Sequence, residues 1–284
     1  MNILKDISII FINYNSKEVL KKAIISDKKF YDEELEIIIF NNSKEEDLNE
    51  LKNIYRNIKI IVSDKNFGFT KGCNIAVNNT NGKYILLLNP DVIFINNFLK
   101  EGVEFLENNS YVSAVGFKIL NPDKSIQKES LRNIPTPLNT LLRFLGLDKF
   151  IKLSKPYYDE NYEKVHEVEI LSGACMLIRK EAFLDIGGFD ESFFLYGDDI
   201  DLCIRLRKNG YKLYYLPIES VIHYKGGSLN KFSLERIYLS HRAMFLFIKK
   251  YYSKNLLLFI ILSVGIFIRF LIFIFISLIL YIFV

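Results

Sequence analysis

Two short acidic motifs, far apart in the chain, carry the side chains best suited to chemistry. The first is Asn89-Pro90-Asp91, which directly follows the apolar run Ile85–Leu88. Pro90 ends the strand that this run predicts, so that Asp91 projects from the carboxyl end of the strand. A carboxylate in that position suits a hard cation such as Mg²⁺ or Mn²⁺ that is shared with a diphosphate. Taken alone, the tripeptide is equally typical of a capping aspartate in a turn.

The second motif is Gly197-Asp198-Asp199, with Asp201 two residues further along. It begins a predicted helix at 199–209, and the dipole of a helix favours carboxylates in its first turn. Negative charge at a helix N-terminus is therefore one interpretation. Three carboxylates within four residues also repel one another, which predicts a metal ion or a reacting hydroxyl group nearby. One of them could then act as a general base that removes the proton from an acceptor hydroxyl.

A glycine-containing loop, Asn66-Phe67-Gly68-Phe69-Thr70-Lys71-Gly72, precedes a predicted helix at 69–79. Glycine allows the backbone to approach a ligand closely, and the N-terminus of a helix attracts anions. The loop lacks the spacing of the P-loop and of the dinucleotide-binding Gly-x-Gly-x-x-Gly motif. It therefore indicates a phosphate contact of another kind, or simply a glycine turn between two elements.

His223 ends a predicted strand and is followed by Tyr224-Lys225-Gly226-Gly227-Ser228. An isolated histidine is usually structural, but a Gly-Gly loop permits close approach to a phosphate. His166 and His241 have no such neighbours in the sequence. We therefore single out His223 as a candidate site residue.

The segments that must position these residues alternate between strands and helices through the first half of the chain. This alternation implies right-handed βαβ units and a mostly parallel sheet, that is, an α/β fold. Ligands of such sheets bind outside the carboxyl ends of the strands. Three polar clusters converge there: Asn13-Tyr14-Asn15, Asn41-Asn42-Ser43 and Asn89-Pro90-Asp91. The predicted strands are Ile7–Ile12, Glu36–Phe40, Ile58–Val62, Tyr84–Leu88 and Val112–Phe117, and the predicted helices are Lys17–Lys28, Glu45–Tyr55, Phe69–Asn79 and Asn96–Glu107.

Residues 119–254 follow a different rhythm. The segment 134–166 contains Pro135, Pro137 and Pro156 and shows no clear period, so we expect an irregular or partly helical insert there. Regular structure resumes afterwards, with one helix at 199–209 and another at 234–252. The remaining predicted strands are Val168–Ser172, Ala174–Ile178, Lys212–Tyr215 and Ser220–His223.

Composition and charge exclude some classes of function. The 284 residues include 37 lysines and arginines against 33 aspartates and glutamates, and this formal charge of +4 argues against a nucleic-acid partner. The three cysteines are far apart, so neither a disulfide framework nor a Cys-x-x-Cys metal site is predicted. The N-terminal residues lack a basic region followed by a long apolar run, and we expect the body of the protein to stay in the cytoplasm.

The C-terminal segment 255–284 is almost entirely apolar, and Arg269 is its only charged residue. A helix over 256–284 would be roughly 43 Å long at about 1.5 Å per residue, longer than a hydrocarbon core of ~30 Å. Arg269 costs about 2.5–3.5 kcal/mol at the centre of a span, but the many leucine, isoleucine, phenylalanine and valine residues outweigh it at about 0.3–0.6 kcal/mol each. The segment therefore predicts a membrane anchor.

Three arrangements of this segment are open. A single tilted span comes first, and a pair of short, interfacially inserted helices that meet near Arg269 comes second. The third, a buried helix of a soluble protein, is uncommon at this length. Lys249, Lys250 and Lys254 precede the segment and no basic residue follows it. The positive-inside rule therefore places the body of the protein on the cytoplasmic face of the membrane.

Seven motifs, taken in order, resemble those of glycosyltransferase family 2, and most closely its rhamnosyltransferase-like branch. The resemblance spans residues 5–250 and rests on the order of the motifs rather than on any one of them. The motifs are Ile12-Asn13-Tyr14-Asn15, Asn66-Phe67-Gly68-Phe69, Leu88-Asn89-Pro90-Asp91, Ser172-Gly173-Ala174-Cys175-Met176-Leu177-Ile178-Arg179, Gly187-Gly188-Phe189-Asp190, Tyr196-Gly197-Asp198-Asp199-Ile200-Asp201-Leu202 and His223-Tyr224-Lys225-Gly226-Gly227.

The resemblance implies a GT-A fold and a metal-dependent, inverting transfer of a sugar, rhamnose being one candidate, from a nucleotide diphosphate sugar. The acceptor would be a hydroxyl of a cell-surface polysaccharide or a lipid-linked glycan. Residues 1–254 then form one GT-A domain, with a nucleotide-binding half at 1–118 and an acceptor-side half at 119–254, followed by the membrane segment at 255–284.

The motifs and the resemblance together predict the residues of the site. Asp199 is the expected catalytic base, and Asp91 and His223 are the expected protein ligands of Mn²⁺ or Mg²⁺. Gly173, Ala174 and Asp198 are expected on the acceptor side. The expected donor-binding residues are Asn13, Tyr14, Asn15, Asn41, Asn42, Asn66, Gly68, Lys71, Gly72 and Asn89.

Two departures from the family pattern bear on activity. Phe40 stands where the family has an aspartate that reads the nucleotide base, and an apolar ring cannot accept a hydrogen bond from that base. Asp198 stands where glutamate is common, so the charge is kept. Phe40 motivates an alternative in which the chain is an inactive, membrane-bound scaffold or donor-binding protein. A nucleotidyltransferase would need a Gly-rich basic loop after the first strand, which Asn13-Tyr14-Asn15-Ser16 does not supply.

Overall fold

The computed structural model describes residues 3–31, 35–55, 57–144, 147, 150–151, 156–224 and 233–282. Within these ranges the chain forms eleven strands, eight α-helices and three short 3-10 helices. The 3-10 helices are Ile3–Asp6, Asn49–Asn53 and Lys128–Ser130. The strands are β1 Ile7–Asn13, β2 Glu36–Asn41, β3 Ile58–Val62, β4 Tyr84–Leu88, β5 Val92–Phe94, β6 Val112–Leu120, β7 Leu131–Arg132, β8 His166–Val168, β9 Ile170–Leu171, β10 Cys175–Arg179 and β11 Lys212–His223. The helices are α1 Lys17–Lys28, α2 Gly68–Val77, α3 Leu99–Asn108, α4 Pro137–Phe144, α5 Lys180–Asp185, α6 Asp198–Lys208, α7 Leu234–Tyr252 and α8 Leu256–Ile282.

A nine-stranded sheet organises the body, in the order β3-β2-β1-β4-β10-β6-β11-β5, with β8 paired to β11. The strands β3, β2, β1 and β4 are parallel, as the alternating pattern predicted. The order of the strands reverses between β1 and β4, since β2 lies on one side of β1 and β4 on the other. Open α/β sheets bind their ligands at such a switch point, outside the carboxyl ends of the strands.

The second half of the sheet is mixed rather than parallel. β10 runs antiparallel between β4 and β6, and its first residue, Cys175, pairs with Leu88 at the carboxyl end of β4. The residues just before β10, Gly173 and Ala174, are therefore held at the same edge of the sheet as Asn89-Pro90-Asp91. The antiparallel strand β10 therefore brings the acceptor-side residues Gly173 and Ala174 next to the Asn89-Pro90-Asp91 motif.

Four of the predicted elements differ in more than their end residues. The predicted strand Val168–Ser172 is divided between β8, which pairs with β11, and β9, which pairs with β7. The predicted helix Glu45–Tyr55 is reduced to the 3-10 helix Asn49–Asn53, because the Glu46 side chain and backbone bind residues of the neighbouring strand ends. The two predicted strands at 212–215 and 220–223 are one strand, β11, with a register shift between Leu216 and Glu219. Pro217 lies in that shift, where its missing N–H interrupts no ladder.

Apolar side chains fill both faces of the sheet. One face packs against α1 and α3, and the other packs against α2, α6 and a separate two-stranded sheet of β7 and β9. The apolar runs of β1, β2 and β4 are buried on both faces, as is typical of strands covered by two layers of helices. This double core gives the strand ends of the site a rigid base. The predicted irregular insert at 134–166 contains α4 and otherwise little regular structure in its described residues.

The C-terminal helix α8 is continuous through Arg269. The arrangement with two short helices meeting near Arg269 is therefore wrong, because no break occurs at that residue. The segment Leu256–Leu280 is long and apolar enough to cross a membrane, and none of its most apolar window is buried in the protein. A helix with this exposure is also not the buried core helix of the third arrangement.

Asp27, near the end of α1, is expected to make the stability of the fold fall as pH rises. Burial raises the pKa of its carboxyl to about 8, and neither carboxyl oxygen has a hydrogen-bond partner in the described part of the chain. The folded protein therefore holds a proton that the unfolded chain releases near pH 4. The free energy of unfolding should fall by about 1.4 kcal/mol per pH unit between the two pKa values.

Asp27→Asn should remove this share of the pH dependence, because an amide does not titrate. Chemical unfolding of the detergent-solubilised chain between pH 5 and pH 9 measures it, and the variant should exceed the parent in stability at pH 9. Asp64→Asn is the matched control, since Asp64 is exposed. An unchanged slope in Asp27→Asn would show that the carboxyl is ionised in the folded protein.

Candidate active site

Buried asparagines tie together the ends of β1 and β2. The Asn13 side-chain amide donates to Asn41 Oδ1 at 2.9 Å and to Glu46 Oε2 at 2.6 Å. The Ser16 hydroxyl donates to Asn13 Oδ1 at 2.8 Å. Asn13 and Asn41 are almost fully buried, so their side chains position the strand ends and have no atoms free at the surface. Their predicted contact with the donor is therefore indirect in this structure.

The residues that follow Asn13 reach the surface. Tyr14 is 38% exposed, and Asn15 adopts a left-handed backbone with φ of 50°. The Asn15 N–H donates to the Ser43 hydroxyl at 2.9 Å, and this hydroxyl donates to Asn15 Oδ1. Tyr14 is thus presented at the open end of the switch point by a loop that β2 holds in place.

The loop before α2 is built around Gly68. The Gly68 N–H donates to Asn66 Oδ1 at 2.8 Å, and Asn42 binds the loop through the Phe67 N–H and the Gly68 carbonyl. Gly68 has φ of +80°, and a Cβ there would lie 2.6 Å from Phe194. Asn66, Gly68 and Asn42 therefore shape this loop, and the glycine is needed for its conformation and its packing.

Gly72, predicted to bind the donor, lies instead in the core. A Cβ on Gly72 would come within 2.9 Å of the Phe40 ring, so the missing side chain lets α2 close onto β2. Phe40 itself is 2% exposed and packs in this core rather than in the cleft. Lys71 stays at the surface, where its Nζ lies 3.7 Å from Glu191 Oε2.

Asp91, Asn89 and His223 converge at the ends of β4 and β11. His223 Nε2 lies 3.1 Å from Asp91 Oδ1 and 3.4 Å from Asn89 Nδ2. His223 Nδ1 lies 3.1 Å from Gln127 Oε1. With the imidazole proton on Nδ1 and directed to Gln127, the Nε2 lone pair faces the same point as the Asp91 carboxylate. The Gly-Gly loop predicted beside His223 lies outside the described residues.

This pair fits a divalent cation that is shared with a substrate. Adjacent ligand atoms of an octahedron with bonds of about 2.1 Å lie roughly 3 Å apart, and Nε2 and Oδ1 are 3.1 Å apart. Among the described residues, no group of three or more His, Cys, Asp or Glu side chains could hold a metal on its own. Mg²⁺ and Mn²⁺ commonly take one or two protein ligands and complete their shell with phosphate oxygens and water.

Asp199 is held by three donors. The Arg132 guanidinium forms an ion pair with Asp199 Oδ2, and the Gly173 N–H donates to the same oxygen at 3.3 Å. The Ile200 N–H donates to Asp199 Oδ1 at 2.8 Å. Burial alone would lower the pKa of Arg132, but the neighbouring Asp199 carboxylate outweighs it and raises that pKa. Asp199 is therefore oriented towards β7 and the Gly173 turn.

The other two carboxylates of the motif are neutralised in different ways. Burial, and then the charge of Asp199, raise the pKa of Asp198 to about 7. Asp201 is fully buried and accepts from Arg205 Nε at 2.7 Å and from Lys250 Nζ at 2.6 Å. The crowding that predicted a nearby metal is thus relieved within the protein, and Asp199 is the member whose carboxylate lies beside the acceptor-side turn.

Gly173 and Ala174 join the Asp91 and Asp199 groups into one site. Gly173 binds Asp199, while the Ala174 carbonyl accepts a hydrogen bond from the Asn89 N–H at 3.2 Å. A Cβ on Gly173 would lie 3.6 Å from the Asp199 Cβ, so the turn approaches the carboxylate closely. Two successive residues therefore connect the pair proposed for metal binding with the predicted base.

Three residues of this site were not predicted from the sequence: Arg132, Gln127 and Glu46. Each lies in a segment without a distinctive motif, and each acts on a residue far away in the chain. Arg132 reaches Asp199 from the two-residue strand β7. In the sequence, an arginine before a proline-containing insert is equally typical of an exposed surface residue, so only the fold identifies its partner.

Comparison with known proteins agrees with the resemblance. Residues 8–187 match the family model described as Glycosyl transferase family 2, and residues 158–284 match one described as Glycosyl transferase family group 2. The rhamnosyltransferase WbbL of Escherichia coli is 30% identical over 224 residues, which cover 76% of this chain and 82% of the relative. The N-acetylglucosaminyl-diphospho-decaprenol L-rhamnosyltransferase of Mycobacterium tuberculosis is 27% identical, covering 70% of this chain and 69% of the relative.

Solved structures agree on the architecture. GalNAc-T7, crystallised with UDP, GalNAc and Mn²⁺, aligns with a TM-score of 0.58 at 14% identity and covers 77% of this chain. TarS of S. aureus aligns with a TM-score of 0.59 at 16% identity and covers 85% of this chain. This chain spans 43% and 38% of those two longer chains. Together with the mixed sheet between two helical layers, these likenesses show that the fold is GT-A.

Proposed function

We propose that this chain, which belongs to glycosyl transferase family 2, is an inverting, metal-dependent transferase that moves rhamnose or a related hexose from a nucleotide diphosphate sugar. The proposed acceptor is a hydroxyl of a lipid-linked glycan on its way to a cell-surface polysaccharide. The observation that supports this reaction most directly is the Gly173–Ala174 turn. It binds the Asp199 carboxylate on one side and Asn89, next to Asp91 and His223, on the other.

The reaction would be an in-line displacement at the anomeric carbon. Asp199 takes the proton of the acceptor hydroxyl as the new glycosidic bond forms, and the bond to the diphosphate breaks on the opposite face of the sugar. Asp91 and His223 would hold a divalent cation whose charge offsets that of the departing diphosphate. A single displacement inverts the configuration of the anomeric carbon, so the product anomer reports on the mechanism.

Arg132 is a positioning residue in this scheme, since it acts through Asp199. Its guanidinium directs the carboxylate towards the acceptor-side turn. Arg132→Gln should lower kcat by roughly 10–100-fold, the equivalent of a charge-assisted hydrogen bond of about 1.5–3 kcal/mol. The KM for the donor should stay nearly unchanged, because Arg132 binds Asp199 and not the Asp91–His223 pair.

Arg132→Lys keeps the charge and should recover part of the rate. Arg207→Gln is the matched control, because the Arg207 guanidinium lies 3.7 Å from Glu169 and does not touch Asp199. A merely structural role for Arg132 would lower the amount of folded enzyme without lowering the kcat of the folded fraction.

The position of Phe40 bears on the alternative of an inactive protein. Its ring is buried against Gly72, so the substitution changes the core beneath the donor rather than a catalytic group. Glu46, which binds Asn13 at the strand ends, places a carboxylate at that edge of the sheet. Phe40 therefore gives no structural reason for loss of the transfer reaction.

A membrane attachment through α8, with the catalytic body on the cytoplasmic side, completes the proposal. The helix presents an exposed apolar surface, and Lys249, Lys250 and Lys254 lie at its N-terminal end. A relative acts on a decaprenol-linked sugar by its name. An enzyme held at the bilayer would meet such an acceptor without first extracting it from the lipid.

A donor screen tests the reaction. The purified full chain, in detergent with Mn²⁺, is incubated with dTDP-rhamnose, UDP-sugars and GDP-sugars, and release of the nucleoside diphosphate is measured with and without a lipid-linked acceptor. We expect one donor to be consumed faster when acceptor is present, with inversion seen by NMR of the product. Retention of the anomeric configuration would contradict the single displacement.

A further inference from the structure

The polarity of the two faces of α8 is the reverse of that of a surface helix in water, because its polar side chains are on the covered face and its exposed face is apolar. At intervals of three or four residues from Leu258 to Ser277, its side chains are partly covered by the rest of the chain. The polar side chains Ser263, Arg269 and Ser277 all lie on this covered face. The exposed positions between 257 and 280 carry only aliphatic or aromatic side chains, or the glycine at 265. Such a face suits hydrocarbon rather than water.

The covered face of α8 lies along α7. The Phe245 and Phe259 rings are 5.9 Å apart near the turn between the helices, and the His241 and Phe270 rings are 5.3 Å apart further along. Phe273 also contacts the His241 ring, at 5.7 Å. Because residues later in α8 meet residues earlier in α7, the two helices form an antiparallel hairpin.

Arg269 is satisfied inside this hairpin. His241 Nδ1 lies 2.6 Å from the Ile237 carbonyl, which places the imidazole proton on Nδ1. His241 Nε2 then accepts from Arg269 Nη1 at 3.0 Å, and the guanidinium also packs over the Phe273 ring. The charge of Arg269 is therefore directed into the protein, and it gives the exposed face of α8 no polar group.

α7 in turn belongs to the catalytic body. Lys250 Nζ contacts Asp190 at 2.5 Å and Asp201 at 2.6 Å, and the Tyr251 hydroxyl donates to Asp201 at 2.6 Å. The Tyr252 hydroxyl donates to the Pro135 carbonyl at 3.0 Å. Asp201 lies one helical turn or less from Asp199, so α7 connects α8 to the helix that carries the predicted base.

These contacts conflict with a helix that crosses the bilayer. The covered face of α8 runs over residues 258–277, roughly 29 Å at 1.5 Å per residue, about the thickness of the hydrocarbon core. If α8 crossed, α7 would have to accompany it with Arg236, Arg242, Lys249 and Lys250. Charged side chains of this number exclude α7 from the bilayer interior.

We propose that α8 does not span the membrane but lies in the plane of one leaflet, with its exposed face in the acyl chains and its covered face on α7. The occupant of the exposed face is the lipid surface itself. The inference rests on the membrane attachment proposed above and adds its geometry. Through α7 and Asp201 it would hold the cleft at a fixed height above the bilayer, where a lipid-linked acceptor presents its sugar.

Depth-dependent fluorescence quenching tests this geometry, and the chain is suited to it because it contains no tryptophan. Leu257→Trp, Phe267→Trp and Phe275→Trp place single probes at positions 70%, 58% and 65% exposed. Successive probes are about 15 Å and 12 Å apart along the helix axis. The full-length variants are bound to vesicles of phosphatidylethanolamine and phosphatidylglycerol with bromine at defined acyl positions. We expect all three probes to be quenched best by the shallow bromines, with Phe267→Trp no deeper than the other two.

A spanning helix would give a deep Phe267→Trp and two shallow ends, which would overturn the in-plane geometry but leave the attachment intact. Absence of quenching at all three positions would overturn both; a dimeric mass in that case would identify a second copy as the occupant. Tyr111→Trp, an exposed ring on the catalytic body, is the control that should stay unquenched. Sugar transfer is assayed separately on the same samples, so a shallow depth at all three positions without transfer contradicts the proposed reaction alone.

A cross-link tests whether the hairpin persists on the membrane. Phe245→Cys with Phe259→Cys replaces two rings in contact, while the three natural cysteines are free and buried. A short bifunctional maleimide added to the vesicle-bound protein should join the two thiols, and the cross-linked protein should stay bound with the same quenching depths. Failure to cross-link on vesicles, with efficient cross-linking in detergent, would mean that α8 leaves α7 in the bilayer.

Discussion

Asp199→Asn is expected to reduce sugar transfer by about 10²–10⁴-fold, the range for loss of a general base. The substitution keeps the shape of the side chain but removes its ability to take a proton. Donor binding should be nearly unchanged, because Asp199 lies at the acceptor-side turn while Asp91 and His223 form a separate pair. Transfer rates at saturating acceptor, with donor affinity measured by calorimetry, separate these two effects.

The ion pair with Arg132 gives Asp199→Asn a second expected effect, on the stability of the protein. Arg132 is buried beside Asp199, so removal of the carboxylate leaves a buried guanidinium without its counter-charge, which typically costs 3–5 kcal/mol of stability. Asp199→Asn should therefore unfold more easily than the parent. Combining it with Arg132→Gln should restore stability and leave transfer as low as in Asp199→Asn alone.

Asp190→Asn provides the matched control for loss of an ion pair. Asp190 contacts Lys250 at 2.5 Å but does not touch Asp199, so this variant should lose stability while keeping most of its rate. Transfer at the parental rate by folded Asp199→Asn would contradict the assignment of the base. Asp198, whose pKa is already raised to about 7, would then be the carboxylate to replace next.

The parts of the fold that sequence could predict are those in which local pattern and tertiary structure agree. The strands β1 to β4 are short, mainly apolar runs that are followed by polar residues, and each lies within a residue or so of its predicted bounds. Glu45–Tyr55 failed because its helical pattern competes with a tertiary contact, the binding of Asn13 and Lys17 by Glu46. The helical propensity of the segment carries no information about that contact.

The residues of the site also divide into those that the sequence could predict and those that it could not. Asp91, Asp199 and His223 stand at element boundaries with recognisable motifs, so the sequence singled them out. Arg132 and Gln127 act on these residues across 67 and 96 positions of the chain, and nothing near them in sequence indicates a partner. Gly72 illustrates the opposite error, since a glycine near a helix N-terminus can serve packing against Phe40 as well as a ligand.

Asp91→Ala is the second large effect that we expect. A carboxylate that helps to hold a divalent cation against the diphosphate supplies several kcal/mol of charge stabilisation, so transfer should fall by roughly 10²–10³-fold. His223→Ala should have a smaller effect, because one protein ligand would remain. Asp123→Ala, an exposed acid in a turn, is the control and should leave transfer unchanged.

Manganese binding offers a readout of Asp91 that does not depend on turnover. Asp91 and His223 are the two protein ligands proposed among the described residues, so the free protein should bind Mn²⁺ weakly. A nucleoside diphosphate should tighten this binding by supplying phosphate oxygens. Electron paramagnetic resonance titrations of the full chain should show this coupling in the parent and its loss in Asp91→Ala. Equal Mn²⁺ binding by Asp91→Ala, with or without the diphosphate, would contradict the assignment of Asp91 as a metal ligand. In that outcome the 3.1 Å contact between Asp91 and His223 is structural, and Mn²⁺ is held by the diphosphate and by other residues of the chain.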